Sequence, residues 1–342
     1  MEAYPIKFEP ILKEKIWGGT KLKDVLNKKT TCDTVGESWE ISGVEGSESV
    51  VDNGRYVGMT ITQLGTAFEE KFLGVENFKN FGNQFPLHIK FLDASTNLSI
   101  QVHPDDDMAQ KEHNSFGKTE MWYIMDHDVD AEIIVGLNEE ITSTEVLAAI
   151  NKDNVYDVFN AQKVTRGDAY FIPAGEVHAI GAGVLAAEIQ QTSDITYRVY
   201  DWDRKDSQGN TRELHIDQAI KATNTSSKST KNSCMALTNQ STEVVKCDFF
   251  TTNNLNVYGT FIKDYSNLDS FVILMCTEGT ATITVNHITE VVTKGTTVLL
   301  PASTRNAYFF SEGAQFLEVF VGDYLTPKSL SVSGKKRLAV AS

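Results

Sequence analysis

The sequence has few cysteines, few basic residues and no long hydrophobic run. Four cysteines are scattered over 342 residues without a CxxC spacing, so a disulfide framework is not predicted and a reduced, cytoplasmic protein is expected. No apolar run approaches the ~18 residues of a membrane span, and the N-terminus lacks the pattern of a signal peptide. Lysine and arginine number 31 against 46 acidic residues, a net charge of −15. This balance argues against a nucleic-acid partner.

The composition is otherwise that of a folded chain with the length of two ordinary domains. Apolar residues make up 41% and charged residues 23%, which excludes a disordered or fibrous protein. Residues 223–233 are all Ser, Thr, Asn or Lys, and they predict a linker because they cannot bury a core. Short β-rich runs precede the linker, bounded by Gly, Pro, Asn and Asp, and they predict an all-β barrel or sandwich. The runs are residues 88–92, 98–102, 121–125, 133–135, 169–172 and 184–189.

Three helical stretches interrupt this β-rich pattern. Thr60 and Gln63 have the spacing of a capping box, and Leu64, Phe68 and Phe72 then recur at helical spacing. A glycine two residues after Phe72 predicts the end of this helix. The other two helical stretches lie near residues 138–160 and 216–222.

A repeated pattern divides the chain into two similar parts. Residues 167–178 read G-x5-P-x-G-x2-H, and residues 295–306 read G-x5-P-x-S-x2-N. Each copy follows a pair of strand-like runs, and the first copy is longer because it contains the helical stretch near 138–160. The repeat predicts two homologous β-barrels, the first carrying a helical insertion.

The first copy resembles the second motif of the cupin superfamily, whose jelly-roll barrels often hold a metal. The resemblance implies an all-β fold with helical insertions and two cupin-type barrels, with His178 as a metal ligand. The Asn that usually follows this His by four residues is replaced by Ala182. Gln101 and His103 share one face of a strand because they are two residues apart, and Glu120 begins the next predicted strand. Two imidazoles, a carboxylate and an amide oxygen suit a zinc ion.

Five longer segments together resemble the type I mannose-6-phosphate isomerases in their short bacterial form. Where longer relatives of that family read Lys-Pro-Glu, this chain reads Lys118-Thr119-Glu120. The resemblance covers about residues 5–325. Its segments are residues 89–94, 98–106, 117–124, 172–183 and 188–204, with residues 17–19 and 36–42 matching the N-terminal pattern of the family.

This resemblance implies a zinc enzyme that interconverts mannose 6-phosphate and fructose 6-phosphate, with one zinc ion per chain. The implied zinc ligands are Gln101, His103, Glu120 and His178. The implied catalytic residues are Arg198, Lys118 and Asp194, and the implied substrate contacts are Ser99, Lys90 and Arg204.

The chemistry of an aldose–ketose isomerisation gives these residues their expected tasks. The reaction moves a proton between neighbouring carbons through an enediol, so it needs a general base and a group that offsets negative charge. Lys118 and Asp194 both fit the base, and the sequence does not choose between them. Arg198 fits the charge-stabilising role, but it also fits an ion pair with Asp194. Because no glycine-rich phosphate loop is present, Arg204 and Lys205 are expected either to bind the phosphate, with Ser99 as a hydroxyl donor, or to form an exposed charged turn.

The two barrels are expected to have different roles. Residues 1–235 are predicted to form the catalytic metal-binding barrel, and residues 240–325 a degenerate, metal-free barrel, followed by a tail at 326–342. In the second barrel Asn306 and Ser270 stand at the positions that correspond to the ligand His and Glu of the first. A carboxamide and a hydroxyl without imidazole make a poor zinc site.

Two other functions are compatible with part of the pattern. Two histidines and a carboxylate are also the ligands of non-haem iron oxygenases, although Gln101 and the basic residues argue against that class. A sugar-phosphate-binding barrel without catalytic turnover is the second alternative. The sequence does not predict the oligomeric state.

Overall fold

The structure is a computed structural model that describes residues 1–138, 158–206, 208–224, 228–233 and 236–324. These ranges are mostly β-structure with a few short helices. The strands are β1 (Ile11–Gly19), β2 (Val35–Ile41), β3 (Leu87–Ala94), β4 (Ile100–Val102), β5 (Glu120–His127), β6 (Glu132–Leu137), β7 (Phe159–Lys163), β8 (Ala169–Ile172), β9 (His178–Ile180), β10 (Val184–Gln191), β11 (Tyr197–Tyr200), β12 (Thr230–Asn232), β13 (Ser241–Lys246), β14 (Thr251–Asp264), β15 (Val272–Val285), β16 (Ile288–Thr293), β17 (Thr297–Leu300) and β18 (Asn306–Phe320). The α-helices are α1 (Lys21–Asp24), α2 (Ile61–Phe68), α3 (Glu70–Leu73), α4 (Val75–Phe81), α5 (Asp106–His113) and α6 (Ile216–Ala222).

The strands form three antiparallel sheets. The first sheet has the order β1-β2-β3-β10-β5-β8-β12, and the second has the order β11-β4-β9-β6-β7. The third has the order β13-β14-β18-β15-β16, with β17 paired to β15. No helix in the described part of the chain has the length and apolar composition needed to cross a membrane. The predicted fold class, all-β with helical insertions and two cupin-type barrels, is confirmed.

The first barrel encloses its core between the first and second sheets. Trp122 and Ile124 of β5 point inward and join Ile133 and Ile180 of the second sheet in one buried cluster. Successive residues of a strand face opposite sides, so Met121 of β5 points out of this barrel and packs in a different cluster. Glu120 is two residues before Trp122, so its side chain points to the same inner face of the first barrel.

The third sheet folds into the second barrel and packs against the first. Its long strands β14, β15 and β18 bend at register shifts, and their inner faces enclose a separate apolar cluster. Another cluster joins Ile89 and Ile189 of the first sheet to Ile273 and Leu317 of the third. The layers therefore follow one another as second sheet, first sheet, inner half of the third sheet and outer half of the third sheet.

The helix predicted after Thr60 is partly confirmed. Thr60 caps α2, and the reciprocal hydrogen bonds of a capping box with Gln63 are both present. The predicted continuation through Phe72 is wrong, because Glu69 adopts a φ of 47° and breaks the chain into α2 and α3. The sequence carries no Gly or Pro at this break that could reveal it. The helix near 216–222 is confirmed as α6.

Two other segments differ from their predicted structure, and one of them lies mostly outside the residues that the structure describes. Most of the helical stretch near 138–160 falls outside the described residues, and its end at 159–160 is strand β7 instead. The linker at 223–233 contains strand β12, which pairs with the edge strand β8. Lys231 of β12 lies 2.8 Å from Asp168. An unpaired sheet edge thus orders a polar segment that has no core residues of its own.

Candidate active site

Five of the predicted site residues lie close together on two facing sheets. On the second sheet, Arg198 of β11 pairs with Gln101 of β4, and Gln101 pairs with His178 of β9. His103 comes directly after β4, and Glu120 begins β5 on the first sheet. The predicted ligands thus come together at the place where the two sheets meet.

Three of these side chains form a compact, buried cluster. The ligand atoms of His103, Glu120 and His178 all lie within 4.8 Å of one another. Nε2 of His103 is 3.4 Å from Oε2 of Glu120, and Nε2 of His178 is 3.3 Å from Oε1 of the same carboxylate. The exposed fraction of each residue is 1% or less. The amide group of Gln101 borders this cluster, 3.5 Å from Nε2 of His178.

The hydrogen bonds of the two imidazoles make the cluster suited to a cation. Nδ1 of His103 lies 2.9 Å from the carbonyl oxygen of Ile195, and Nδ1 of His178 lies 2.8 Å from that of Glu176. A carbonyl only accepts, so each Nδ1 carries the proton and each Nε2 presents its lone pair to Glu120. Oε1 of Glu120 is buried and accepts no hydrogen bond. Lone pairs facing a carboxylate repel one another unless a positive charge lies between them.

The electrostatics of the cluster agree with neutral imidazoles and an ionised carboxylate. Burial, followed by the charge of Lys118, lowers the pKa of His103 to about 3. Burial also lowers the pKa of His178. Burial by itself would raise the pKa of Glu120, but Lys118 and the two imidazoles hold it well below its usual value. These are the protonation states that a divalent metal requires of its ligands.

Lys118 places a positive charge against the cluster. Its ammonium group donates a short hydrogen bond to Oε2 of Glu120 and lies 2.8 Å from Nε2 of His103. The side chain is 5% exposed. A divalent ion held by these atoms would compete with the ammonium group for them.

Asp194 and Arg198 occupy different surroundings from Lys118. Asp194 is exposed, and its negative charge contributes to the raised pKa of Lys90. Nη1 of Arg198 donates to the carbonyl of Glu213 at 2.9 Å, while its Nε is buried without a partner. No ion pair joins Arg198 to Asp194 among the described residues. The ion pair with Asp194 that the sequence offered as an alternative is therefore not formed in the described part of the chain.

Lys90 lies in a polar wall on the inner face of the first sheet. Its ammonium group is 3.0 Å from Glu188 and donates to Oε1 of Gln190 at 2.7 Å. Trp122 donates its indole N–H to Glu188 at 3.0 Å. Gln190 is the register partner of Glu120 on one side and of His88 on the other. The polar wall is therefore directly adjacent to the ligand cluster.

Sequence reasoning missed Glu188, Gln190 and His88. The sequence does contain a signal for two of them. The strand VLAAEIQQ is an apolar run that carries Glu188 and Gln190 at two positions on the same face. Buried polar groups need partners, so such positions indicate a polar interior. His88 is fully buried, neither ring nitrogen has a hydrogen bond of normal geometry, and its ring lies edge-on to Trp39 at 4.4 Å.

Ser99 and Arg204 lie on the side of the second sheet. Ser99 is buried immediately before β4. Arg204 donates to Asp201 at 2.5 Å and to the carbonyl of Asn97 at 2.5 Å. Arg212, which sequence reasoning also missed, binds both carboxylate oxygens of Asp201. Arg198 is close enough to both arginines for their charges to help lower its pKa, after the effect of burial.

Comparison with known proteins agrees with this geometry. The family "Phosphomannose isomerase type I, catalytic domain" matches residues 6–155, and "Mannose-6-phosphate isomerase, cupin domain" matches residues 240–315. The chain is 36% identical over 305 residues to mannose-6-phosphate isomerase ManA of Bacillus subtilis, covering 88% of this chain and 94% of that one. It is 35% identical over 311 residues to mannose-6-phosphate isomerase of Streptococcus mutans, covering 90% and 95%.

A solved structure shows the same architecture. The crystal structure of mannose 6-phosphate isomerase from Bacillus subtilis superposes with a TM-score of 0.81 at 32% identity, covering 92% of this chain and 99% of that one. The resemblance inferred from the sequence segments is thus confirmed over almost the whole chain. With the family matches, the level of identity and the His–Glu–His cluster taken together, this chain belongs to the type I mannose-6-phosphate isomerase family of enzymes.

Proposed function

We propose that this chain interconverts mannose 6-phosphate and fructose 6-phosphate with the help of one zinc ion. The buried cluster of His103, Glu120 and His178 carries this proposal, because its unprotonated Nε2 atoms and carboxylate oxygens converge on one point. Gln101 borders the cluster and completes a four-ligand set of a kind that zinc accepts. A zinc ion bound there would act as a Lewis acid for the sugar oxygens.

The proposal places a single metal in the first barrel, within residues 1–235, and a structural role in residues 240–325. Asn306, which corresponds to His178, is exposed at the start of β18. Ser270, which corresponds to Glu120, is buried, and its hydroxyl binds the carbonyl of Phe271 and the backbone N–H of Val321. These contacts hold strands together and leave no imidazole or carboxylate for a metal at those two positions.

Lys118 is the proposed general base. It is buried in the ligand cluster, where the carbons that exchange the proton must lie if their oxygens approach the metal. Asp194 is exposed and beside Lys90, which places it farther along the polar wall. The ligand histidines cannot serve, since their Nε2 lone pairs face the metal site. An ammonium group has no lone pair, so Lys118 must lose a proton, and with it the ion pair with Glu120, before it can act as the base.

Arg198 and its neighbours are proposed to hold negative charge on the substrate. Arg204 and Arg212 form ion pairs with Asp201, and the charges of Asp201 and Glu213 both act on the neighbouring Arg198, so three arginines share two carboxylates. Arg198 lies beside Gln101 in the strand register and therefore close to the ligand cluster. It can stabilise the developing enediolate, while the other two favour the phosphate end of the sugar. Lys90 and Ser99 complete the proposed pocket.

A coupled assay for fructose 6-phosphate, with bound metal measured in parallel, tests this function. His103→Ala should lose most bound zinc and nearly all turnover, because one ligand and its orienting contact are removed together. His287→Ala is the matched control, since His287 is an exposed residue of the turn between β15 and β16. Turnover that persists in His103→Ala, or a loss of equal size in His287→Ala, would contradict the assignment.

The same assay separates the two alternatives. Full turnover without oxygen excludes the iron oxygenase. Binding of the sugar phosphate without any fructose 6-phosphate formed by the zinc-loaded protein would favour the non-catalytic binding protein.

A further inference from the structure

Arg198 lies on a strand whose outer edge is covered by a short segment instead of by another strand. Strand β11 is the first strand of the second sheet, so in the described part of the chain it pairs with β4 on one side only. The backbone groups that point away from β4 need other partners, because an edge strand leaves them without a ladder. Residues 213–215 run along this open edge and supply those partners at Arg198.

The covering segment binds Arg198 at three points. The backbone N–H of His215 donates to the carbonyl oxygen of Arg198 at 2.8 Å. In the other direction, the backbone N–H of Arg198 donates to Nδ1 of the His215 imidazole at 3.2 Å. The carbonyl oxygen of Glu213 accepts from Nη1 of Arg198 at 2.9 Å. One segment of three residues therefore holds both the backbone and the guanidinium group of Arg198.

The imidazole of His215 takes the place of a strand carbonyl. In a regular antiparallel ladder, two paired residues exchange both of their backbone hydrogen bonds. His215 gives its backbone N–H to Arg198, but it accepts the return hydrogen bond on its side chain. Its carbonyl oxygen accepts from the N–H of Ala219 and begins helix α6 instead. The chain can thus turn away into α6 without leaving the N–H of Arg198 unpaired.

Helix α6 does not itself explain a histidine at this position. His215 is the N-cap residue of α6, but its side chain makes no capping hydrogen bond. Ser, Thr, Asp and Asn are preferred at an N-cap, because their side-chain oxygens accept from the free N–H groups of the first turn. The buried Ala219 packs α6 against Tyr197 and Val199 of β11. This packing anchors the segment, and the imidazole is directed at the backbone of Arg198.

We propose that His215 is a positioning residue of the isomerase, which holds the guanidinium group of Arg198 in place through the backbone of β11. This inference rests on the charge-stabilising role proposed for Arg198. A group that stabilises charge in the transition state acts best when it is already in place as the charge develops. A displacement of about 1 Å can lower a rate roughly a hundredfold. Loss of the contact to the Arg198 backbone should therefore slow the reaction.

Steady-state kinetics of a double-mutant cycle test the proposal, with zinc-loaded His215→Leu, Arg198→Ala and the double variant. His215→Leu removes the acceptor and keeps a side chain of similar bulk. It should lower kcat roughly ten- to a hundredfold. KM for mannose 6-phosphate should stay close to the wild-type value, because the lost interaction acts in the transition state. In the Arg198→Ala background the same change should lower kcat no further, because the group that His215 positions is absent.

His113→Leu is the matched control. Nε2 of His113 lies 2.7 Å from the hydroxyl group of Tyr197, so His113 also contacts β11. Tyr197 points to the opposite face of the strand from Arg198. This variant should therefore keep the wild-type kcat and KM. An equal loss of kcat in His113→Leu would assign His215 to general support of β11 and overturn the proposal.

The other outcomes separate this inference from the proposed function. His215→Ala is a second variant with the same expectation as His215→Leu, and unchanged bound zinc shows that each variant is folded. A normal kcat in both His215 variants, beside a strongly impaired Arg198→Ala, overturns the role of His215 alone. A loss that persists undiminished in the Arg198→Ala background also overturns it. A normal kcat in Arg198→Ala refutes the proposed role of Arg198 and this inference with it.

Discussion

Replacing Lys118 by methionine should destabilise the metal-free protein far more than the zinc-loaded protein. The Lys118 ammonium group is a cation directly beside Glu120, and both side chains are at most 5% exposed. Removing one partner of a buried ion pair costs about 3–5 kcal/mol because a charge is left uncompensated. Zinc would supply that missing charge, so the cost should fall sharply when the metal is present.

Urea unfolding in chelator and in excess zinc measures both costs. Lys90→Met is the matched control, because Lys90 forms a buried ion pair of the same kind, 3.0 Å from Glu188 on the polar wall. Its cost should be similar under the two conditions. If Lys118→Met loses the same stability with and without zinc, the ammonium group and the metal do not share a site, and the reasoning is refuted.

Three further predictions follow from other parts of the molecule. Arg198→Ala should lower kcat by roughly 10²–10³, because a fixed hydrogen-bond donor to the developing negative charge is lost. Arg198→Lys should recover part of this loss. If steady-state kinetics show a change in KM alone, Arg198 is a binding contact instead. His88→Leu should leave the melting temperature unchanged or raise it, since a buried imidazole without normal hydrogen bonds is replaced by an apolar group; a clear loss of thermal stability would contradict this. Burial would raise the pKa of Glu318, but Lys263 and hydrogen bonds from neighbouring side chains hold it below its usual value. The stability that Glu318 contributes is therefore fully present above the usual glutamate pKa. It is lost as the pH falls from that value through the lowered pKa of the folded state. Unfolding as a function of pH should show a smaller acid-dependent loss in Glu318→Gln, and identical slopes would exclude this contribution.

The sequence predicted the parts of the site that depend on one strand or one local pattern. Gln101 and His103 are two residues apart, and His178 follows a Pro–Gly turn that resembles a known motif. The helix cap at Thr60 was predicted for the same reason, since its two partners are three residues apart. Such features depend on local spacing, which can be read directly from the sequence.

The remaining parts depend on contacts between distant segments. The pairing of Lys90 with Glu188 and Gln190 follows from the register of β3 against β10, which no local pattern reveals. Strand β12 forms because β8 offers an edge, although its own residues predict a linker. The contact of Lys118 with His103 joins residues 15 positions apart, and it depends on how β4 and β5 pack together.

Titration of metal-free enzyme with zinc, followed by the coupled assay for fructose 6-phosphate formed from mannose 6-phosphate, tests the central claim most directly. The account predicts that activity is absent in chelator-treated protein and rises in proportion to zinc until one ion is bound per chain. Full activity without metal, or a maximum reached only at two ions per chain, would contradict a single catalytic zinc held by Gln101, His103, Glu120 and His178.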